Sequence, residues 1–371
     1  MKYLSEYRDP VLAQSLVDRI RKVSSQQWTI MEVCGGQTHA LLRTGIDEAL
    51  SECVELIHGP GCPVCVTPAA SIQNAIRLSM RPGIIVTSFG DMLRVPGEHG
   101  SLLDAQAQKG NIKTVYSPMD AVQLARQNPE KEVVFLAVGF ETTAPATAIA
   151  VLQASQLKVT NFSILCSHVC VLPAMKLLAG SKQNRVQGFL AAGHVCTLTG
   201  FEEYADFVEQ FQVPVAVTGF EPTDLLAGIL EVVTQLELQQ VNLVNCYPRA
   251  AKLNGNQSAR ELCEQVFDVT DRRWRGMQII PDGGLCLKPE WSRFDAEIKF
   301  SLPAETQQEC STDCRSGEVL AGMIKPPECS AFGTRCTPQA PLGAPMVSTE
   351  GACAAYYRYR NHSSLQSIET T

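Results

Sequence analysis

The chain has no excess of basic charge and no long apolar run, and each deficit removes a class of function. Its 371 residues carry 31 Lys and Arg against 38 Asp and Glu, a formal net charge of −7. It therefore lacks the positive surface with which nucleic-acid-binding domains neutralise phosphates or basic segments approach acidic membranes. No stretch reaches the roughly 20 apolar residues that span a bilayer. The opening Met1 to Pro10 also lacks the apolar centre of a signal peptide. We therefore expect a cytoplasmic protein with no nucleic-acid and no membrane partner. A GxxxxGK[ST] loop and a complete GxGxxG are both missing, so nucleotide-driven catalysis would lack its usual phosphate cradle. A G-x-S-x-G nucleophile elbow is missing too.

What the chain does have is cysteine: 15 of them, more than packing alone explains. Without a secretory signal a disulfide framework is not expected, so the excess points to metal, cluster or thiol chemistry. The stretch Gly59-Pro-Gly-Cys-Pro-Val-Cys65 is the most informative. Val54, Leu56 and Ile57 read as a short buried strand, Gly59 to Gly61 as a rigid turn, and Thr67-Pro68 as an N-cap with Pro at the first helical position. Cys62 and Cys65 then precede a helix start, where thiolate is favoured over thiol. Alone, such a pair reads equally as incidental, redox-active or metal-binding.

With 371 residues, two or three domains are expected. Residues 10 to 23 have helical apolar spacing. The strand Trp28 to Val33 runs into Cys34-Gly-Gly-Gln-Thr-His39, placing Cys34 at the carboxyl edge of a sheet, where open α/β folds collect ligands. Gly83 to Ser88 and Lys113 to Tyr116 complete a four-stranded unit, giving a first α/β domain over 28–130. Strand-like runs resume at Val133 to Val138, Phe162 to Cys166, Val186 to Leu190 and Val213 to Val217, giving a second α/β domain of similar design over 131–270. Within it Gly139-Phe-Glu-Thr-Thr143 and Gly219-Phe-Glu-Pro-Thr223 echo one another. Glu141 and Glu221 read either as functional carboxylates or as acids held at helix N-termini. Beyond 270 Pro, Gly and Cys become frequent and the apolar period fades, so 1–27 and 271–371 are assigned to a helical and irregular domain that needs an inorganic staple. The expected fold class is α/β, with two Rossmann-like βα domains on parallel sheets plus this cysteine-rich domain.

In the tail, Cys314-x14-Cys329-x6-Cys336-x16-Cys353 supplies four thiolates, enough for every iron of one cubane. Structural zinc sites use short CxxC pairs, which these gaps are not, so the spacing favours a [4Fe–4S] cluster. Cys310 reads as a spare thiol. In the first domain Cys34, His39, Cys62 and Cys65 would suit iron, zinc or thiol–disulfide exchange. His58, His99, His168, His194, Cys166 and Cys170 sit at loops or strand ends and read either as lining residues or as satisfied structural groups. Cys53, Cys246, Cys263 and Cys286 read as core or incidental thiols.

Taken together, Cys34-Gly-Gly-Gln-Thr-His39, Gly59-Pro-Gly-Cys-Pro-Val-Cys65, Gly139-Phe-Glu-Thr-Thr143 and the cysteine tail resemble the HypD family of hydrogenase maturation proteins, in the right order along the whole chain. That resemblance implies a scaffold for the Fe(CN)2CO group of [NiFe] hydrogenases, working with HypC and receiving cyanide from HypE, with HypF upstream. It implies iron held by Cys34 together with a HypC cysteine. Cys62 and Cys65 become the redox-active or iron-proximal pair, His39 and Glu141 site residues, and Cys314, Cys329, Cys336 and Cys353 the cluster ligands. The family often carries His where Gln37 stands, and an amide is a poor iron ligand. Thiolate donors suit iron that carries CO and CN⁻, and an electron relay from tail cluster through the Cys62 and Cys65 pair to iron is the mechanistic expectation. The competing reading is a free-standing iron–sulfur thiol–disulfide oxidoreductase that uses Cys62 and Cys65.

Overall fold

A computed structural model describes residues 5–303 and 313–360. Eleven strands form among them: β1 Trp28–Glu32, β2 Val54–His58, β3 Ile84–Ser88, β4 Ile112–Thr114, β5 Glu132–Gly139, β6 Phe162–His168, β7 Gly188–Ala192, β8 Val215–Thr218, β9 Leu243–Asn245, β10 Phe267–Arg273 and β11 Ile279–Leu287. The eight apolar runs read from sequence all become strands, with ends moved by no more than two residues. β9 and the β10–β11 hairpin were not anticipated. In β10 the charged Asp268, Asp271, Arg272 and Arg273 and a register slip between Thr270 and Arg272 hide the period of two.

The strands form two parallel sheets, ordered β2-β1-β7-β8-β9 and β4-β3-β5-β6. This corrects the expected grouping of strands at residue 130. β5 pairs with β3, so β5 and β6 join β3 and β4 in one sheet. β7 and β8 cross back to β1, with Ile30 opposite Gly188 and Glu32 opposite Leu190. One sheet is thus inserted within the chain of the other. Successive residues of each strand serve opposite faces, so both sheets are buried on two sides, as parallel sheets require. Met31, Phe189 and Val217 face one core, and Ile30, Leu190 and Ala216 the other. In the second sheet Phe135 and Ile164 oppose Val86 and Leu136.

The N-terminal helix Pro10–Val23, expected to join the cysteine-rich domain, packs instead on the first sheet's helix Pro222–Glu237. It is capped by Asp9, and Leu16, Val17 and Ile20 bury against Leu226, Ile229 and Val233. The hairpin likewise leaves the tail: Phe267, Leu287 and Phe294 pack with Phe162 and Ile164 of the second sheet. The cysteine-rich region proper is 313–360, more than half loop, with short helices at Ser316–Leu320 and Ala352–Arg360 and single 3-10 turns at Pro326–Glu328 and Ala344–Met346. Its residues Ala344 and Val347 lie in one core of the second sheet, while Ala355 and Tyr356 lie on Leu42 beside the first. The tail therefore bridges the two. No helix among the described residues is long and apolar enough to cross a membrane.

Candidate functional site

In an open parallel sheet the ligand crevice forms where the strand order reverses, beyond the carboxyl ends of the two diverging strands. In the first sheet that point lies between β1 and β7. Cys34 follows β1 as N-cap of the helix Gly35–Thr44, and His194 follows β7 in the helix Gly193–Thr199. The Cys34 Sγ stands 3.7 Å from His194 Nδ1. Phe220, after β8, stacks on His194 with ring centroids 5.2 Å apart and also borders Gly36. Cys34 is only 4% exposed. Burial pushes its thiol far above the ordinary range, opposed by N–H groups of Gln37 and Gly36 at the helix start and reinforced by Glu32 and Glu350. Burial also pushes His194 down to about 4. Both groups are thus neutral near pH 7, a soft sulfur beside an imidazole nitrogen, which is a donor pair for a metal that displaces the thiol proton.

The loop bearing Cys62 and Cys65 lies directly against Cys34. Gly59 donates to Glu32 O at 2.8 Å and Gly35 donates to Gly61 O at 2.9 Å. The backbones are so close that a Cβ on Gly61 would collide with the Cys34 backbone, and one on Gly35 with that of Glu350. Cys62 and Cys65 form a disulfide, with Cα atoms 5.2 Å apart, and are 3% and 0% exposed. The expected helix geometry is corrected here. Cys62 itself caps a one-turn helix, Pro63–Val66, and the following helix Ala69–Ser79 is preceded by Pro68 rather than capped by Thr67. Being bonded to one another, neither sulfur is a thiolate at a helix terminus.

The other candidates from the sequence are not drawn to Cys34. His39 turns toward the tail, its Nε2 3.1 Å from the Tyr359 hydroxyl. The side chain of Gln37 points to the ends of β7 and β8, donating to Thr218 Oγ1 at 2.7 Å and Ala191 O at 3.2 Å. Glu141 accepts the N–H of Val171 at 2.8 Å, at the start of the helix Val171–Ala179, which is the helix-terminus alternative. With Cys170, Lys176, Glu203, Arg260 and Cys263 it lines a cavity of about 550 Å³ that does not include Cys34. His168 is a satisfied core group, facing Gly139 O and the Thr147 hydroxyl. His99 belongs to the turn bridged by Gly97 and Gly100.

Cys314, Cys329, Cys336 and Cys353 meet in the tail. Burial and then Cys314, Cys336 and Cys329 raise the Cys353 thiol well above its ordinary range. Burial raises Cys336 as well, while the N–H groups of Leu342 and Gly343 at its sulfur pull the other way. Gly343 lies against Cys314, where a Cβ would collide with the sulfur. Among the described residues no three His, Cys, Asp or Glu side chains stand close enough for a single ion. Thiolates around a cubane stand further apart than that, because the cluster lies between them. Cys310 lies outside the described residues.

The sequence reading left His194 undecided and passed over Glu350 and Asp91. Glu350, beside Gly35, has a carboxyl raised by partial desolvation and by the charge of Asp91 in the 3-10 helix Gly90–Arg94 after β3. A strand-end position was the signal for His194 and Asp91. For Glu350 the only signal was its place three residues before Cys353.

A family model described as "HypD: Hydrogenase formation hypA family" matches residues 11–360. Similar proteins include the hydrogenase maturation factor HypD of Escherichia coli K12, 43% identical over 98% of this chain and 100% of that protein. The factor of the same name from Rhodobacter capsulatus is 42% identical over 97% and 98% of the two chains. That from Azotobacter vinelandii is 42% identical over 97% of each. A match of this extent, on a chain whose Cys34 and Cys62 loops pack into one strand-end crevice, places this protein in the HypD family of hydrogenase maturation factors.

Proposed function

We propose that this chain is the scaffold on which the Fe(CN)2CO group of [NiFe] hydrogenases is assembled, acting with HypC and taking cyanide from HypE, with HypF upstream. The observation that carries this reading is the buried Cys34 thiol 3.7 Å from the ring nitrogen of His194 at the strand-order reversal of the first sheet. The iron group is the cargo. Cys34 is its sulfur ligand, sharing it with a cysteine of HypC, and loses its proton on binding. His194 is placed to take that proton or to donate its ring nitrogen. The disulfide of Cys62 and Cys65 stands on the adjoining loop as a two-electron store, its reduction yielding two thiols beside the cargo. We read the two parallel sheets as Rossmann-like halves whose carboxyl edges enclose this crevice.

The tail fits a resident [4Fe–4S] cluster on Cys314, Cys329, Cys336 and Cys353. The donor set is four soft sulfurs whose mutual repulsion an iron cluster relieves, with N–H groups of Leu342 and Gly343 turned to Cys336. Such a cluster, when bound, supplies one-electron chemistry.

The oxidoreductase reading draws on the observed disulfide. Its 3% and 0% exposure speaks against it, because a partner protein's thiolate must reach a sulfur in line to exchange. Infrared spectroscopy of the protein isolated anaerobically with its small partner separates the two. A scaffold shows CO and CN⁻ stretching bands and iron beyond the tail cluster, and Cys34→Ala removes both while leaving the cluster absorption. Absence of the bands in the unaltered protein, or their persistence in Cys34→Ala, overturns the assignment.

A further inference from the structure

Beneath the crevice runs a buried polar chain that the assembly reading does not use. Glu32, the last residue of β1, is 0% exposed. Its Oε2 accepts the Cys34 N–H at 2.8 Å, and its Oε1 accepts the Thr38 hydroxyl and faces His58 Nδ1 at 2.7 Å. A carboxylate can only accept, so Nδ1 carries the proton, and in the neutral imidazole Nε2 is then an acceptor. That nitrogen faces the hydroxyl of Tyr356 at 3.2 Å, with the two rings edge to face at 5.3 Å. Tyr356 is three residues beyond Cys353 on the helix Ala352–Arg360. The chain thus begins at the backbone of Cys34 and ends beside the cysteine tail.

A fully buried carboxylate whose ion-pair partner among the described residues is an imidazole rather than a guanidinium or ammonium costs more to desolvate than apolar packing of the same volume, so stability alone does not account for it. What the chain does specify is geometry. Glu32 holds both the Cys34 N–H and the Thr38 hydroxyl, that is, both ends of the first helical turn. His58 ties that carboxylate to the end of β2, just before Gly59. We propose that Glu32, His58 and Tyr356 are positioning residues through which the seating of the last tail helix sets the geometry of the Cys34 loop. The purpose of that coupling rests on Cys34 being the iron ligand; the coupling itself does not.

The test is a double-variant cycle on protein that carries its tail intact but no iron on Cys34, reading the rate at which N-ethylmaleimide labels Cys34 by mass mapping. Tyr356→Phe keeps the ring and removes only the hydroxyl. Cys34 should then label about fivefold faster, the order expected for one lost hydrogen bond, with the rate at Cys53 unchanged. Glu32→Gln should accelerate labelling at least as much. In that background Tyr356→Phe should add almost nothing, because the link it cuts is already cut, whereas a residue that only packs contributes its full factor in either background. If Glu32→Gln does not fold, His58→Gln takes its place with the same expectation. An unchanged rate in Tyr356→Phe, or factors that simply multiply, overturns the proposal. A coupled cycle in a protein without CO and CN⁻ bands would sustain the chain and sink the assembly reading; bands with an uncoupled cycle would do the reverse.

Discussion

Glu141 shows how one side chain is decided by its surroundings. In sequence it is one carboxylate of a short echo. In the fold Oε1 is held by the Val171 N–H, while Oε2 is buried with no partner among the described residues. Burial, aided by the charge of Glu203 and opposed by the N–H groups, pushes its pKa up to about 7. The folded state therefore binds this proton more tightly than the unfolded chain, whose value is near 4.5. Stability from this group is fully present below pH 4.5 and is lost as pH rises through 7. Glu141→Gln removes that slope. Between pH 5 and 8 the unaltered protein should lose about 2–3 kcal/mol more stability than the variant, by denaturant titration at both pH values. His168 acts with the opposite sign. Burial lowers it to about 4, so its contribution is lost as pH falls from 6.5 toward 4; because His168 is present in both proteins, that loss cancels in the Glu141→Gln comparison.

At the scale of elements, the crevice depends on two strand-end loops touching through their backbones. Gly61 is there because of close approach: a Cβ would run into the backbone of Cys34. Gly83, in the turn before β3, is there for a different reason, a φ of +79° with open space around it. Gly61→Ala should cost about 1–3 kcal/mol through forced separation of the loops and also accelerate labelling of Cys34. Gly83→Ala should cost roughly 1 kcal/mol and leave that labelling unchanged. Equal labelling rates in the two variants would show that the loops are not held by this contact.

For the molecule as a whole, the tail joins the two sheets. Ala344 and Val347 are buried with the second sheet, Tyr356 with helix Gly35–Thr44 beside the first, and Arg360 pairs with Asp47. Between these anchors the chain is mostly loop, and on the proposed reading a cluster on the four thiols takes the place of a core. Cys329→Ser and Cys336→Ser should each abolish the broad visible absorption of an iron–sulfur cluster and speed proteolysis within 313–351. Far-UV circular dichroism should change little, because the sheets have cores of their own. Unchanged absorption in both variants would remove these two residues from the ligand set.

Much of this was legible in the residues themselves. Apolar runs bounded by Gly and Pro specify strands locally, and Cys34 after one run and Cys62 after another specify a strand-end site, because chain direction alone puts them at a carboxyl edge. The four tail cysteines stood out because nothing else in that segment could hold it. Which strands pair was not legible. The runs of β3, β5, β7 and β8 are alike in being apolar, as parallel strands buried on both faces must be, so no residue in β5 marks it as the neighbour of β3 rather than the start of a new sheet. The crossing of β7 back to β1 is a long-range choice made by packing of the helices on both faces. It alone brings His194 beside Cys34 across about 160 residues. The sequence by itself determined where the cysteine sulfurs stand along the chain and the local turns that present them. The tertiary structure decided the nitrogen beside Cys34, the backbone contact at Gly61 and the buried link through Glu32, because each depends on chain segments that meet only once the sheets have formed.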